Sequence, residues 1–344
     1  MKINVLRSCV VCLLLVLVCA AASAQTKSGY RVLTQFKLGG EGGWDYLTVD
    51  GKAHRLYVSR STHVMVVNTD TGEVVGDIPD TAGVHGVALV PDANKGYTSN
   101  GRADAVTVFD LKTLKVLSTI KTGKNPDTII YDPASNRVFT FNGGSQDTTA
   151  IDVKTDTVAG TLALGGRPEF AVADGKGEIF ANLEDKSEVV AFDARKLAIK
   201  AHWPLAPCEE PSGLAFDRKH RRLFSGCSNK LMAVTDADTG HVITTLPIGS
   251  GVDANAFDAE TDLAFSSNGE GTLTVVHEDA PDKFTVLDNV PTQRGARTMA
   301  LDAQTHKLYL ATAQFGPPPA PTPERPRPRP SIVPGSFVVL VLGK

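Results

Sequence analysis

The 344-residue chain is poor in cysteine and aromatics, has no marked excess of either charge, and after its first two dozen residues contains no long apolar run. Of five cysteines, Cys9, Cys12 and Cys19 fall in the first 24 residues. Cys208 and Cys227 are left downstream, and no C-x-x-C redox motif persists there. The apolar stretch FVVLVL is far shorter than the roughly 18 residues a membrane helix needs, so no membrane span is expected. Lys and Arg total 35 against 38 Asp and Glu, a formal charge of −3. That balance argues against a general nucleic-acid binder, which needs a basic face to displace counterions. The chain also has no G-x-S-x-G, H-E-x-x-H, P-loop, dinucleotide fingerprint or C-x-x-C-H. Serine-triad, nucleotide and covalent haem chemistry are therefore disfavoured. GGEGG (39–43) is glycine-rich but does not sit in the strand-to-helix context of a phosphate loop.

The N-terminus has a short basic start, an apolar stretch and Ala22-Ser23-Ala24. This is the pattern of a secretory signal peptide, cleaved after residue 24. A lipoprotein variant at Cys19 is weaker, because Val18 stands where a small residue is wanted. Cleavage removes Lys2 and Arg7 but no acid, taking the charge from −3 to −5. The mature chain, 25–344, is expected in the periplasm or secreted, as a monomer.

What the sequence does contain is a repeat. Tyr57, Tyr97, Phe139, Phe180, Phe224, Phe265 and Tyr309 are spaced 40, 42, 41, 44, 41 and 44 residues apart. Each follows an aspartate by five to seven residues: Asp50, Asp92, Asp132, Asp174, Asp217, Asp258 and Asp302. Within a unit, HGVALV, GYTSN, AVTVFD and KVLSTI alternate apolar and polar residues between turn signals. Four short strands at this period predict an all-β, seven-bladed β-propeller forming a single domain.

The tetrads YTSN, FTFN and FSSN, with a looser YVSR, resemble the YVTN repeats of the YncE-like bacterial propellers. The likeness covers nearly the whole mature chain and implies the fold; it says little about function. Trp44-Asp45 is out of register for a WD40 repeat. The seventh unit has only three strands, at RTMAL, KLYLAT and SFVVLVL. VLTQFKLGG (32–40) aligns with the fourth strand of blade two, so the N-terminal strand is expected to complete blade seven. The proline-rich segment at 313–335 then becomes an insertion inside that blade rather than a tail.

Twelve residues before each repeat aromatic lies the funnel-mouth end of the inner strand. The count gives Asp45, His85, Asp127, Ser212, Asp253 and Arg297, with Glu169 one residue out of step. These side chains either bond backbone groups of adjacent blades or form a ligand or cation site, since converging carboxylates repel unless neutralised. Asp45, His85, Asp127 and Asp253 are the metal-ligand candidates, and a divalent cation is the one cofactor they suggest. Asn100, Asn142, Asn182 and Asn268, at the ends of the second strands, are either turn residues or a ring of amides facing a polar ligand; Arg60 and Cys227 hold related positions.

Pairing Phe216 with Leu223 puts Ser212 opposite Cys227, with Cys208 close enough for a disulfide. His54, His220 and His306 are expected as solvated turn residues on the opposite face, and His63 near the rim. The proline-rich segment is either a semi-rigid lid or a disordered loop, and Arg325, Arg327 and Arg329 could face the acidic mouth. Three functions remain open: an exported propeller binding a small polar or cationic ligand or a partner protein at the mouth; a metal-assisted hydrolase of lactonase type using the mouth carboxylates and His85, an analogy at the level of fold; and a cell-envelope scaffold.

Overall fold

The structure is a computed structural model describing residues 27–320, 322 and 330–344. The expected signal peptide (residues 1–24, with Cys19) and Arg325, Arg327 and Arg329 lie outside the described residues. Among the described residues there are seven four-stranded antiparallel sheets, the blades of a seven-bladed β-propeller. Blade two shows the pattern. Its strands are Val84–Val90, Lys95–Asn100, Ala105–Asp110 and Val116–Lys121, in that order from the axis outward. The second and third are buried almost throughout because neighbouring blades cover both of their faces, while the fourth is mostly exposed. No helix among the described residues is long and apolar enough to cross a membrane.

The repeat aromatics fill the spaces between blades, each no more than 1% exposed. Of the aspartates before them, Asp50, Asp132, Asp174, Asp217, Asp258 and Asp302 cap the hairpin between first and second strands. Asp132 accepts from the Ser135 N–H at 2.8 Å, Asp174 from Lys176 at 2.7 Å and Asp302 from Gln304 at 3.0 Å. Such short acceptors satisfy turn amides that have no strand partner.

Blade seven is built from both ends of the chain. Arg31–Lys37 pairs antiparallel with Val338–Gly343, bringing Arg31 opposite Gly343 and Lys37 opposite Val338. Tyr30 anchors the start of this strand: its ring packs on Phe265 of blade six at 5.0 Å and its hydroxyl donates to the His306 carbonyl at 3.0 Å. Closing the ring in this way removes the open edge a partial blade would expose. The proline-rich segment leaves between Lys307–Thr312 and Val338–Gly343. Its base is pinned by a bridge between Phe315 and Ile332 and a Gly316 N–H to Ser331 carbonyl bond of 2.8 Å.

Candidate functional site at the funnel mouth

The inner strands do not run straight into the mouth. In blades two to six the ladder slips between Val84 and Val87, Pro126 and Ile129, Pro168 and Ala171, Pro211 and Leu214, and Val252 and Ala254. His85, Asp127, Glu169, Ser212 and Asp253 each sit inside one of these irregularities. A bulge bends its strand and re-aims the residue it carries. In blades one and seven the ladder begins only after Asp45 and Arg297. All seven side chains thereby reach the wall of one cavity of about 760 Å³. The close approach of inner strands needs glycine: a Cβ on Gly213 would lie 2.6 Å from the Asn255 backbone nitrogen.

Asp45 and His85 come from adjacent blades, and the carboxylate meets Nδ1 at 2.5 Å. Asp127 Oδ1 lies 3.5 Å from the same nitrogen and is buried with no hydrogen-bond partner among the described residues. On the far wall Arg297 meets Asp253 at 3.3 Å. Burial would push the His85 imidazolium down, but the hydrogen bond with Asp45 and the charges of Asp127, Asp45 and Glu169 outweigh it and raise the group to about 8. Burial, opposed by His85 and reinforced by Asp45 and Asp253, pushes Asp127 up to about 7. Burial and the surrounding carboxylates, Asp127 foremost, raise Glu169 to about 8. The mouth therefore holds protons that ordinary carboxylates would have released.

Several residues at this site escaped the sequence reading. Tyr46 forms the floor, with its hydroxyl 2.6 Å from Thr128 Oγ1 and donating to the Glu169 carbonyl at 3.3 Å, and its ring stacked on Phe170 at 5.5 Å. Burial, with Asp127, Glu169 and Asp45 nearby, keeps its phenol protonated well above the usual range. Arg102, Arg167 and Glu184 line the outer wall, Arg167 pairing with Glu184 at 2.5 Å. Tyr46 adjoins Asp45 in sequence, which was the only clue to it.

Other expectations need correcting. Asn100, Asn142 and Asn268 do not face the cavity: they are at most 1% exposed, and their amides bond Thr107 at 2.8 Å, Thr149 at 2.9 Å and Thr274 at 3.0 Å within their own blades. Asn182 is likewise buried, donating to the Ser212 carbonyl at 2.8 Å. They tie strands and blades together. Arg60 is buried as well, donating to the Glu41 carbonyl at 2.8 Å with its guanidinium 3.8 Å above the Phe337 ring. Phe216 pairs with Leu223, but the bulge makes Pro211 the partner of Cys227 and turns Ser212 toward the funnel. Cys208 and Cys227 form a disulfide with 5.7 Å between their Cα atoms. His54 is solvated beside Asp70, whereas His220 is wedged between two buried carboxylates and His306 bonds buried Asp258 at 2.7 Å.

A closed ring of seven blades around an acidic, histidine-containing funnel defines the class: a seven-bladed β-propeller with a polar mouth. Its sequence is YncE-like. Two curated relatives, each described as an uncharacterized protein YncE, from Salmonella typhimurium (strain LT2) and Salmonella typhi, are 32% identical to it over 85 residues. That stretch is 24% of this chain and about a quarter of the length of each relative. No family profile matches the chain. Among solved structures, U3-55K and the RRP9 WD40 repeats each superpose with a TM-score of 0.73 at 11% identity. They cover 92% and 93% of this chain and 99% of their own, a likeness of fold alone.

Proposed function

We propose that the protein binds a small polar ligand bearing a positive charge, or a divalent cation, at the funnel mouth. The observation that carries this reading is the convergence of Asp45, Asp127, Glu169 and Asp253, from four blades, on one cavity of about 760 Å³. His85 and Arg297 offset part of that charge. A bound cation would take the place of the protons that Asp127 and Glu169 otherwise retain to offset their mutual repulsion. Arg102 and Arg167 on the outer wall give a ligand's polar or anionic end a place to rest, so an amine or a zwitterion fits the gradient from floor to rim. A protein partner would insert such a group from a loop. The Cys208–Cys227 disulfide supports a location outside the cytoplasm.

One arrangement favours a second reading, a metal-assisted hydrolase of lactonase type. Asp45, His85 and Asp127 offer three ligand atoms within 4.8 Å of one another. An ion held there would polarise a carbonyl or activate water. This chain's residues would orient it, Asp45 fixing the imidazole and Tyr46 closing the floor against bulk water.

Calorimetric titration of the metal-stripped protein with calcium, zinc, manganese and a panel of amines and amino acids tests both readings. Binding that weakens in Asp127→Asn and Asp253→Asn supports the ligand reading; turnover of a lactone panel dependent on metal and on Asp127 supports the enzyme. If nothing binds, or both variants bind as the wild type does, the ring is structural and a scaffold acting through its rim loops takes its place.

A further inference from the structure

A second cluster lies on the face opposite the mouth. Asp217 ends the inner strand of blade five, His220 sits in the hairpin after it, and Glu278 comes from the third strand of blade six. His220 Nδ1 is 2.9 Å from Asp217 Oδ2 and 2.9 Å from Glu278 Oε1. The two carboxylate side chains are 2% and 1% exposed, the imidazole 22%.

Turn capping explains Asp217, which accepts from the Lys219 N–H at 2.8 Å and the His220 N–H at 2.9 Å, as its counterparts do in other blades. It does not explain Glu278. The corresponding hairpin of blade seven makes do with His306 against Asp258, its other acid, Glu260, being largely exposed, and that of blade one with His54 beside exposed Asp70. Here a second carboxylate is buried, from a neighbouring blade, and its Oε2 has no hydrogen-bond partner among the described residues. A buried carboxylate oxygen left without a donor is costly. Two buried acids around one imidazole repel each other unless a proton or a cation joins them.

We propose that Asp217, His220 and Glu278 form a metal site, taking a borderline divalent ion such as zinc. Their ligand atoms lie within 4.8 Å of one another. One imidazole nitrogen with two carboxylates suits zinc better than calcium, which prefers six or more oxygens. The ion takes the place of the Nδ1 proton, Nε2 keeps its hydrogen, and the two carboxylates balance the ion's charge. The buried Glu278 carboxylate gains a cationic partner, and the exposed edge of His220 supplies the entry path. The inference is independent of the mouth.

The test is zinc titration of the full metal-stripped protein, with cobalt(II) absorption as a readout of nitrogen and oxygen ligation. A zinc event is expected in the wild type and in Asp127→Asn, which alters only the mouth. In Glu278→Gln and in His220→Ala, a partly exposed turn position chosen because it should still fold, affinity should fall more than about 100-fold, beyond the loss of an outer hydrogen-bonding partner. Absence of a zinc event in Asp127→Asn, or one unchanged when His220→Ala is added to Asp127→Asn, overturns the proposal. An absent event together with a higher melting temperature in Glu278→Gln would identify a proton-sharing triad instead.

Discussion

The Tyr46 hydroxyl of blade one meets the Thr128 hydroxyl of blade three at 2.6 Å, skipping the blade between them. Thr128 in turn donates to the Glu169 carbonyl of blade four at 2.5 Å. This chain of bonds ties three inner strands together beneath the carboxylate ring.

Truncating its first member should loosen the floor. Tyr46→Ala is expected to destabilise by about 3 kcal/mol, the lower end of the aromatic-to-alanine range because the ring is only partly buried. Tyr46→Phe keeps the stack on Phe170 and should lose about 1 kcal/mol. Urea unfolding of both variants checks the ratio; equal losses would mean that the hydroxyl, not the ring, holds the floor.

The protons at the mouth make stability depend on pH. Asp127 moves from 3.8 to about 7, Glu169 from 4.5 to about 8 and His85 from 6.5 to about 8 on folding. In each case the folded state binds the proton more tightly than the unfolded chain. The stabilisation is full below the unfolded values and is lost as pH rises through the folded ones. Melting temperature without added metal should therefore fall between about pH 4 and pH 8. The double variant Asp127→Asn, Glu169→Gln should flatten that slope, and cation binding at the mouth should tighten over the same rise.

Cys208 and Cys227 close a loop with a sequence separation of 19. Replacing both by serine should cost about 3 kcal/mol, mainly by freeing the unfolded chain. Mass spectrometry of unreduced peptides checks the bond, and denaturant melts with and without reductant check its contribution.

Ring closure should rest on a few anchors. Most of Arg31–Lys37 is exposed, but Phe36 is 9% exposed and Tyr30 is 4% exposed. Tyr30→Ala and Phe36→Ala should each destabilise by about 3–5 kcal/mol. Deleting residues 27–37 should leave Val338–Gly343 as an open edge and cause aggregation, detectable by light scattering. A monomeric deletion variant of wild-type stability would show that blade seven does not need its outer strand.

Much of the fold was legible because a blade is a local object. Phe139 and Asp132 recur from blade to blade at near-constant spacing since a blade buries one aromatic and caps one hairpin in its own sequence. The N-terminal closure was legible for the same reason: residues 32–40 carry the pattern of a fourth strand, and blade seven lacked one. The mouth positions could be counted back from the aromatics, because strand and hairpin lengths vary little among units.

The amide ring failed because Asn100, Asn142 and Asn268 carry a polarity that strand periodicity cannot assign to solvent or to a neighbouring strand; buried threonines claimed them. Ser212 lines the mouth as counted, but its pairing with Cys227 was off by one residue because a bulge leaves no distinct mark in composition. His220 and Glu278 stand 58 residues apart, on different blades, and nothing periodic links them.

The sequence by itself determined the number of blades, their strands, the closing pair and the seven inner-strand positions at the mouth, since each follows from the pattern of a single blade. The tertiary structure alone decided how neighbouring blades meet. The Asp45–His85 pair, the Tyr46 floor and the Glu278 carboxylate beside His220 arise between blades, where the approach of two backbones selects the partner and no local spacing records it.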